Sequence, residues 1–263
     1  MKNTKSRIVL SFDDGRKDNY ELAVPTLQKY GLTATFNIAT AYVDGEISIE
    51  DAPCRNPAMS VDNVKDLNNL GFEIACHGDC HKNDFDDIER GLKKIISWLG
   101  WKDDHKPGFA SPNSNLCVKS IKDEKNKYES MFSYMRVSSY GKECCGERVI
   151  RKLSHLSHSN YLYCKAYCNH IGGVQDGFIA TSVPIVNKAT TSQVKSLINM
   201  ATRSNQDCIL MLHSIVKKGN PFYDDMWSWD CDKFDCLCNW LKNEQDKGEL
   251  IVTRNIDLLQ VDN

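Results

Sequence analysis

Asp13 and Asp14 stand side by side at the end of a short apolar run, Ile8-Val9-Leu10-Ser11-Phe12, and Gly15 follows them. Such a run reads as a buried strand. A glycine at its end lets the chain turn sharply, so that both carboxylates reach one space from different angles. Two crowded carboxylates repel each other, and a metal cation is the simplest reason to hold them together. The competing reading is an ordinary turn, which Asp and Gly also favour. His77 and His81 are spaced i,i+4. On one helical turn both imidazoles project the same way and can share a metal. Two histidines and a carboxylate with open coordination positions suit a catalytic zinc site. His213 closes another apolar run, Cys208 to Leu212. It reads either as a general acid titrating near neutrality or as a hydrogen-bonded core histidine.

These residues need a scaffold that gathers strand ends. After the first strand, Tyr20 to Tyr30 reads as a helix, with Pro25 near its start and Gly31 after its end. Ala34 to Ala39 reads as a second strand and Ala41 to Ala58 as an irregular insertion. Ser60 caps the next helix, and Phe72 to Cys76 forms a strand running directly into His77. Phe85, Ile88, Leu92, Ile95, Ile96 and Leu99 make one apolar helical face that Gly100 stops. Gly108 to Ala110 is a brief strand, Asn113 to Lys125 a helix and Phe132 to Val137 a fifth strand. Cys144-Cys145-Gly146 reads as a loop, and Tyr161 to Tyr167 alternates like a strand. Thr191 to Ser204 and Asp232 to Lys247 are helices flanking the strand Cys208 to Leu212, and Leu250 to Val252 is the last strand. Strands alternating with helices imply parallel strands and right-handed crossovers. Seven or eight such units suggest one barrel domain over residues 1–263, with its site at the C-terminal strand ends.

The bulk numbers bound the class. The 263 residues are 41% hydrophobic and 26% charged, as in ordinary globular chains. The net charge of -2 argues against a general nucleic-acid binder. No apolar run approaches the ~20 residues of a membrane span. Met1 to Arg7 is polar and basic, and the strand with the carboxylates begins at once where a signal peptide would have its apolar h-region, so the expected location is cytoplasmic, or extracellular if a leader has been removed. The 12 cysteines are expected to be mostly reduced thiols. Cys164, Cys168 and His170, and likewise Cys231, Cys236 and Cys238, lack the paired spacing of structural zinc sites.

The chain resembles the polysaccharide deacetylases of the NodB-homology type, carbohydrate esterase family 4. Ser11-Phe12-Asp13-Asp14-Gly15 looks like that family's T-F-D-D-G motif, and His77 to His81 like its H-[ST]-x-x-H motif. Phe109-Ala110-Ser111-Pro112-Asn113 looks like a degenerate third motif, and Leu210-Met211-Leu212-His213 like the closing L-x-L-H. The order agrees, and the motifs run from residue 11 to residue 213. The resemblance implies a deformed (β/α) barrel of about seven parallel strands. It implies that Asp14, His77 and His81 hold a divalent metal, usually zinc, although the same donors suit cobalt, nickel or manganese. It further implies Asp13 as general base and His213 as general acid, with a backbone N–H near Asn113 supporting the oxyanion.

Three departures stand out. Gly78 replaces the usual Ser or Thr, Asp79 and Cys80 add a carboxylate and a thiol, and Ala110 stands where an arginine normally meets the base. A buried Asp without a cationic partner would have a raised pKa. Arg136, on the next strand, is the candidate replacement, with a surface ion pair as its alternative role. Asp176 is a possible match to the family's fourth motif.

The implied substrate is a carbohydrate bearing an N-acyl amino sugar. Tyr140, Phe222, Tyr223, Trp227 and Trp229 are candidate aromatic faces for sugar rings, their alternative being loop packing. Two other readings remain open at this level. One is hydrolysis of another C–N bond, in a formamide or cyclic ureide on a small or lipid-linked substrate. The other is a carbohydrate-binding pseudoenzyme.

Overall fold

The computed structural model describes residues 5–48, 56–114, 116–141, 144–175, 177–224 and 226–259. Asp176 lies outside them. Five parallel strands follow in chain order: β1 (Ser6–Phe12), β2 (Thr35–Ile38), β3 (Glu73–Cys76), β4 (Phe109–Ala110) and β5 (Met135–Val137). A short β6 (Val174–Gln175) runs antiparallel to β7 (Ile179–Thr181). β7 lies parallel to β5, pairing Arg136 with Ala180. After the single residue Ser182, the chain continues as β8 (Val183–Pro184), which pairs with β9 (Cys208–Leu212). β9 in turn pairs with β1 from Ile8↔Cys208 to Phe12↔Leu212. The segment 179–184 therefore joins both edges of the sheet and closes it into a ring of seven parallel strands, counting β7 and β8 as one. Leu250–Thr253 flanks the first half of β1, while β2 takes over beside its second half. This is the deformed (β/α) barrel expected from the alternation of elements.

Alternation along β1 sorts its side chains. Ile8, Leu10 and Phe12 join the large apolar core that the helices cover, whereas Val9 joins Ala180, Ile209 and Leu258 in a separate small cluster. Successive side chains of a strand point to opposite faces. Val9, Ser11 and Asp13 therefore share the barrel interior, with Asp13 uppermost.

Several local structures differ from the sequence reading. Tyr161 to Tyr167 is not a strand but lies in the helix Asn160–Tyr167, where Tyr163, Ala166 and Tyr167 are buried at helical spacing. Cys144-Cys145-Gly146 is not a loop. Cys144 caps the helix Cys145–Ser157, its sulfur accepting from the backbone N–H of Glu147 while the Glu147 carboxylate accepts from the N–H of Cys144. Asn113 to Lys125 is a series of single 3₁₀ turns before the helix Lys125–Met131. Thr40–Val43, which overlaps the start of the expected irregular insertion, is a short helix. Among the described residues, no helix is long and apolar enough to cross a membrane.

Candidate metal and catalytic site

The ends of β1, β3, β4 and β9 converge on one cavity of about 220 Å³, lined by Asp13, Asp14, Arg16, His77, His81, Ser111, Asn113, Met211, His213 and Trp227. Asp14 sits at a positive φ of 79° and Gly15 at 83°, a left-handed pair that turns the chain sharply beyond β1. The turn sends the two carboxylates different ways. Asp13 meets β2 and β5, and Asp14 faces the histidine loop.

Oδ1 of Asp14 lies 3.5 Å from Nε2 of His77 and 3.3 Å from Nε2 of His81. It is buried and accepts no hydrogen bond, although such atoms are normally satisfied. The Nδ1 of His77 lies 2.8 Å from the Ala110 carbonyl. Donating there leaves the Nε2 lone pair directed at the gap between the three residues. The donor atoms lie within 4.8 Å of one another, a spread that a single cation can span. The donor set and the orphaned oxygen thus fit a divalent metal.

The histidine loop is held from behind by the helix Phe85–Leu99. Asp87, buried on its first turn, accepts the backbone N–H groups of Asp79, Cys80 and Lys82 at 2.9, 2.9 and 3.1 Å. Gly91 of the same helix presses on the loop so closely that a Cβ there would stand 2.6 Å from the carbonyl carbon of Gly78. Gly78 itself has φ +78°, and its own Cβ would lie 2.7 Å from the Asp87 carboxylate. Glycine in place of the usual Ser or Thr follows from this packing. Asp79 and Cys80 point away into the same support: the Asp79 carboxylate meets Thr40, Arg90 and Lys94.

Asp13 is clamped from the opposite side. Arg136 on β5 donates from Nη2 to both its oxygens, at 2.6 and 2.7 Å, and Asn37 on β2 donates to Oδ1 at 2.8 Å. Both charged partners are buried. Ser182, the residue between β7 and β8, accepts from Nη1 of Arg136 at 3.0 Å and so ties the clamp to the barrel's closure. Ala110 pairs with Arg136 across the sheet, so the arginine that meets the base stands one strand over from position 110. Burial raises the Asp13 carboxyl, yet Arg136, with His77 and His213, holds it below the usual carboxylate range. Burial acts likewise on Asp14, where Arg16, with His77, His81 and His213, overcomes it and the pKa falls well below that range.

Arg16 is the residue that sequence reasoning missed. It is buried, and it donates from Nε and Nη2 to Oδ2 of Asp14 at 2.9 and 2.8 Å. One carboxylate oxygen is thus committed to Arg16, and the other is left facing the histidines. Asn37 was missed too, although a polar residue within an otherwise apolar strand was a usable signal.

His213 follows β9, where Leu212 accepts the backbone N–H of Asp13 at 2.9 Å. Its Nε2 lies 3.9 Å from Oδ2 of Asp13, and its carbonyl accepts from Asn19 at 2.6 Å. Trp227 lies tilted over its ring, with centroids 4.5 Å apart. Burial pushes the His213 pKa down to about 4, against the opposing pull of Asp14 and Asp13. Asn113 reaches the cavity at a positive φ of 59° and donates its side-chain amide to the His81 carbonyl at 3.1 Å.

Not all of the expected aromatic faces gather here. Trp229 is fully buried in the core and donates to the Ala189 carbonyl at 2.9 Å, so packing and not substrate accounts for it. Among the described residues, Tyr223, Phe222 and Tyr140 do not line the cavity.

A family model described as polysaccharide deacetylase matches residues 1–124, which include both carboxylates and the histidine pair but neither Arg136 nor His213. No curated protein matches the chain by sequence. Among solved structures, the chain is similar to a polysaccharide deacetylase from Bacillus cereus, at 15% identity and a TM-score of 0.49, covering 95% of this chain and 92% of that one. It is also similar to a family 4 carbohydrate esterase from Streptomyces lividans, at 11% identity and a TM-score of 0.48, covering 94% and 91%. A peptidoglycan deacetylase from Bacillus subtilis is similar at 12% identity and a TM-score of 0.40, covering 94% and 98%.

Proposed function

We propose that the chain is a polysaccharide deacetylase, the family whose model matches residues 1–124, and that it is a metal-dependent hydrolase removing an N-acetyl, or other N-acyl, group from an amino sugar of an oligo- or polysaccharide. The observation that carries this reading is the division of the two adjacent carboxylates. Asp14 turns an unpartnered oxygen toward two imidazole nitrogens, while Asp13 is held ionised on the other side of the same cavity. Asp14, His77 and His81 would hold zinc or another divalent transition metal. Such a cation supplies Lewis acidity and allows a water to ionise near neutral pH.

The remaining work falls to the chain's own groups. Asp13 accepts the proton of the attacking water. Arg136 and Asn37 fix its orientation and keep it deprotonated, so it is ready as a base at neutral pH. His213 lies 3.9 Å from Asp13, too far for a direct hydrogen bond and near enough for both to reach one reacting group in the cavity. Its depressed pKa means that it enters the cycle neutral. As negative charge grows on the substrate carbonyl, His213 takes up the proton that Asp13 removed from the water, and the cationic ring then delivers it to the departing amine, leaving both groups as they began. Trp227 offers the cavity an aromatic wall for a sugar ring, and Asn113 lines the rim beside His81.

The test is acetate release from N-acetylglucosamine oligomers. The expected result is release that stops when a chelator strips the protein and returns on adding zinc. Release that is indifferent to chelation would contradict the metal-dependent reading, and stoichiometric metal without release from any acylated sugar would contradict the deacetylase reading.

A further inference from the structure

We propose that a second cavity, on the other side of Trp227 from the catalytic pocket, is a subsite for an anionic substituent, a carboxylate or a phosphate, on the same glycan. This inference rests on the deacetylase reading for the nature of the ligand, though not for the existence of the site. The cavity measures about 350 Å³ and brings together Arg151, His155 and Lys188 with Tyr167, Met226 and Trp227. Among the described residues, three basic side chains and no carboxylate line it.

His155 gives the strongest indication. Both of its ring nitrogens are buried with no hydrogen-bond partner. Buried polar groups are nearly always paired, so two orphaned nitrogens in one ring call for a ligand. Burial first, and then Arg151, Lys188 and His158 nearby, push its pKa down to about 4, so that the ring is neutral in a basic surrounding. An anion entering the cavity would accept a hydrogen bond from an N–H of the His155 ring and sit among these basic groups. Pro184, Val186 and Tyr167 supply apolar surface for the carbon face of the sugar carrying it.

Trp227 relates this cavity to the reaction. It lines both spaces and packs over His213 on the catalytic side. A glycan with its N-acyl group in the first cavity can therefore place a neighbouring unit in the second. The substrate class follows: an N-acylated glycan with an acidic group near the unit that is deacylated, in preference to a neutral polymer.

Two measurements test this. The first compares kcat/KM for acetate release from the N-acetylglucosamine tetramer, from the same tetramer oxidised to a terminal carboxylate, and from a 6-phosphorylated tetramer. Wild type is expected to favour at least one charged form over the neutral one. Lys188 is exposed, so Lys188→Glu is expected to fold normally. It should lower the charged-to-neutral ratio by about tenfold or more, the scale of one charge-assisted hydrogen bond. Whichever charged form gains most identifies the group. A ratio that moves by less than about twofold, little more than 0.4 kcal/mol, overturns the subsite.

The second measurement needs no turnover. The His155 C2–H resonance is followed by NMR during titration with N-acetylglucosamine 6-phosphate, and with N-acetylglucosamine as control. A shift with the phosphate ester alone, lost in Lys188→Glu, supports the subsite even if no acetate is ever released, and in that case the deacetylase reading is what fails. No shift, together with an unmoved ratio, overturns the subsite and leaves the deacetylase reading intact.

Discussion

Asp13→Asn is expected to lower kcat for acetate release by roughly 10²- to 10⁴-fold, the range for loss of a positioned general base. The asparagine keeps the shape of the side chain and can still accept from Asn37 and Arg136, but it cannot take a proton from water. It also leaves the buried Arg136 guanidinium facing a neutral amide. Removing one partner of a buried pair costs about 3–5 kcal/mol. A lower midpoint of thermal unfolding should therefore accompany the loss of activity. Metal content should persist, because Asp14, His77 and His81 are untouched. A variant that retains more than about half of wild-type kcat, within the scatter that a role other than base would allow, would remove Asp13 from the mechanism.

Arg136→Met is expected to be nearly as severe, for a different reason. It keeps a long side chain in the slot beside Ala110 but strips Asp13 of its cation, at a cost of about 3–5 kcal/mol of stability at neutral pH. The direction of the pH effect follows from the opposing forces on Asp13. In wild type Arg136, together with His77 and His213, outweighs burial, so the folded pKa lies below the unfolded value of about 3.9. The stability this contributes is present above that unfolded value and disappears as the pH falls through the folded one. In the variant burial prevails, and the folded pKa rises above the unfolded value. The penalty then grows as the pH increases and fades in acid. The stability deficit should therefore be largest near neutrality and shrink toward low pH, while the acidic limb of the kcat/KM profile moves upward. Denaturant unfolding at a series of pH values, beside the activity profile, checks both signs. An acidic limb that stays in place would mean that Arg136 serves the fold alone.

The site was legible in the sequence where polar residues end apolar strands. Asp13, Asp14, His77 and His213 each follow a run that reads as a buried strand, and the alternation of such runs with amphipathic helices pointed to the barrel. Arg136 was reachable by reasoning about what Ala110 lacks. Arg16 was not, because an arginine after Asp-Asp-Gly reads as a solvated turn residue. Its burial arises only when the segment around Ala58 pairs with it and Met59 bonds back to Gly15. The closing segment 179–184 was missed because each half is only two or three residues long and each pairs with a different strand. Trp227 and Trp229 could not be told apart, since which of two nearby aromatics faces the cavity depends on the phase of a two-residue strand. The tyrosines at 161, 163 and 167 favoured a strand by type, and only tertiary packing revealed their helical spacing.

The central claim is that Asp14, His77 and His81 form a single metal site on which deacetylation depends. The most direct test is elemental analysis of wild type and His77→Ala after reconstitution with zinc, with acetate release assayed on the same samples. The account predicts one metal per chain in wild type and the loss of both metal and acetate release in His77→Ala, with the fold retained by circular dichroism. A wild type that takes up no metal, or a His77→Ala protein that keeps full occupancy and activity, would contradict it.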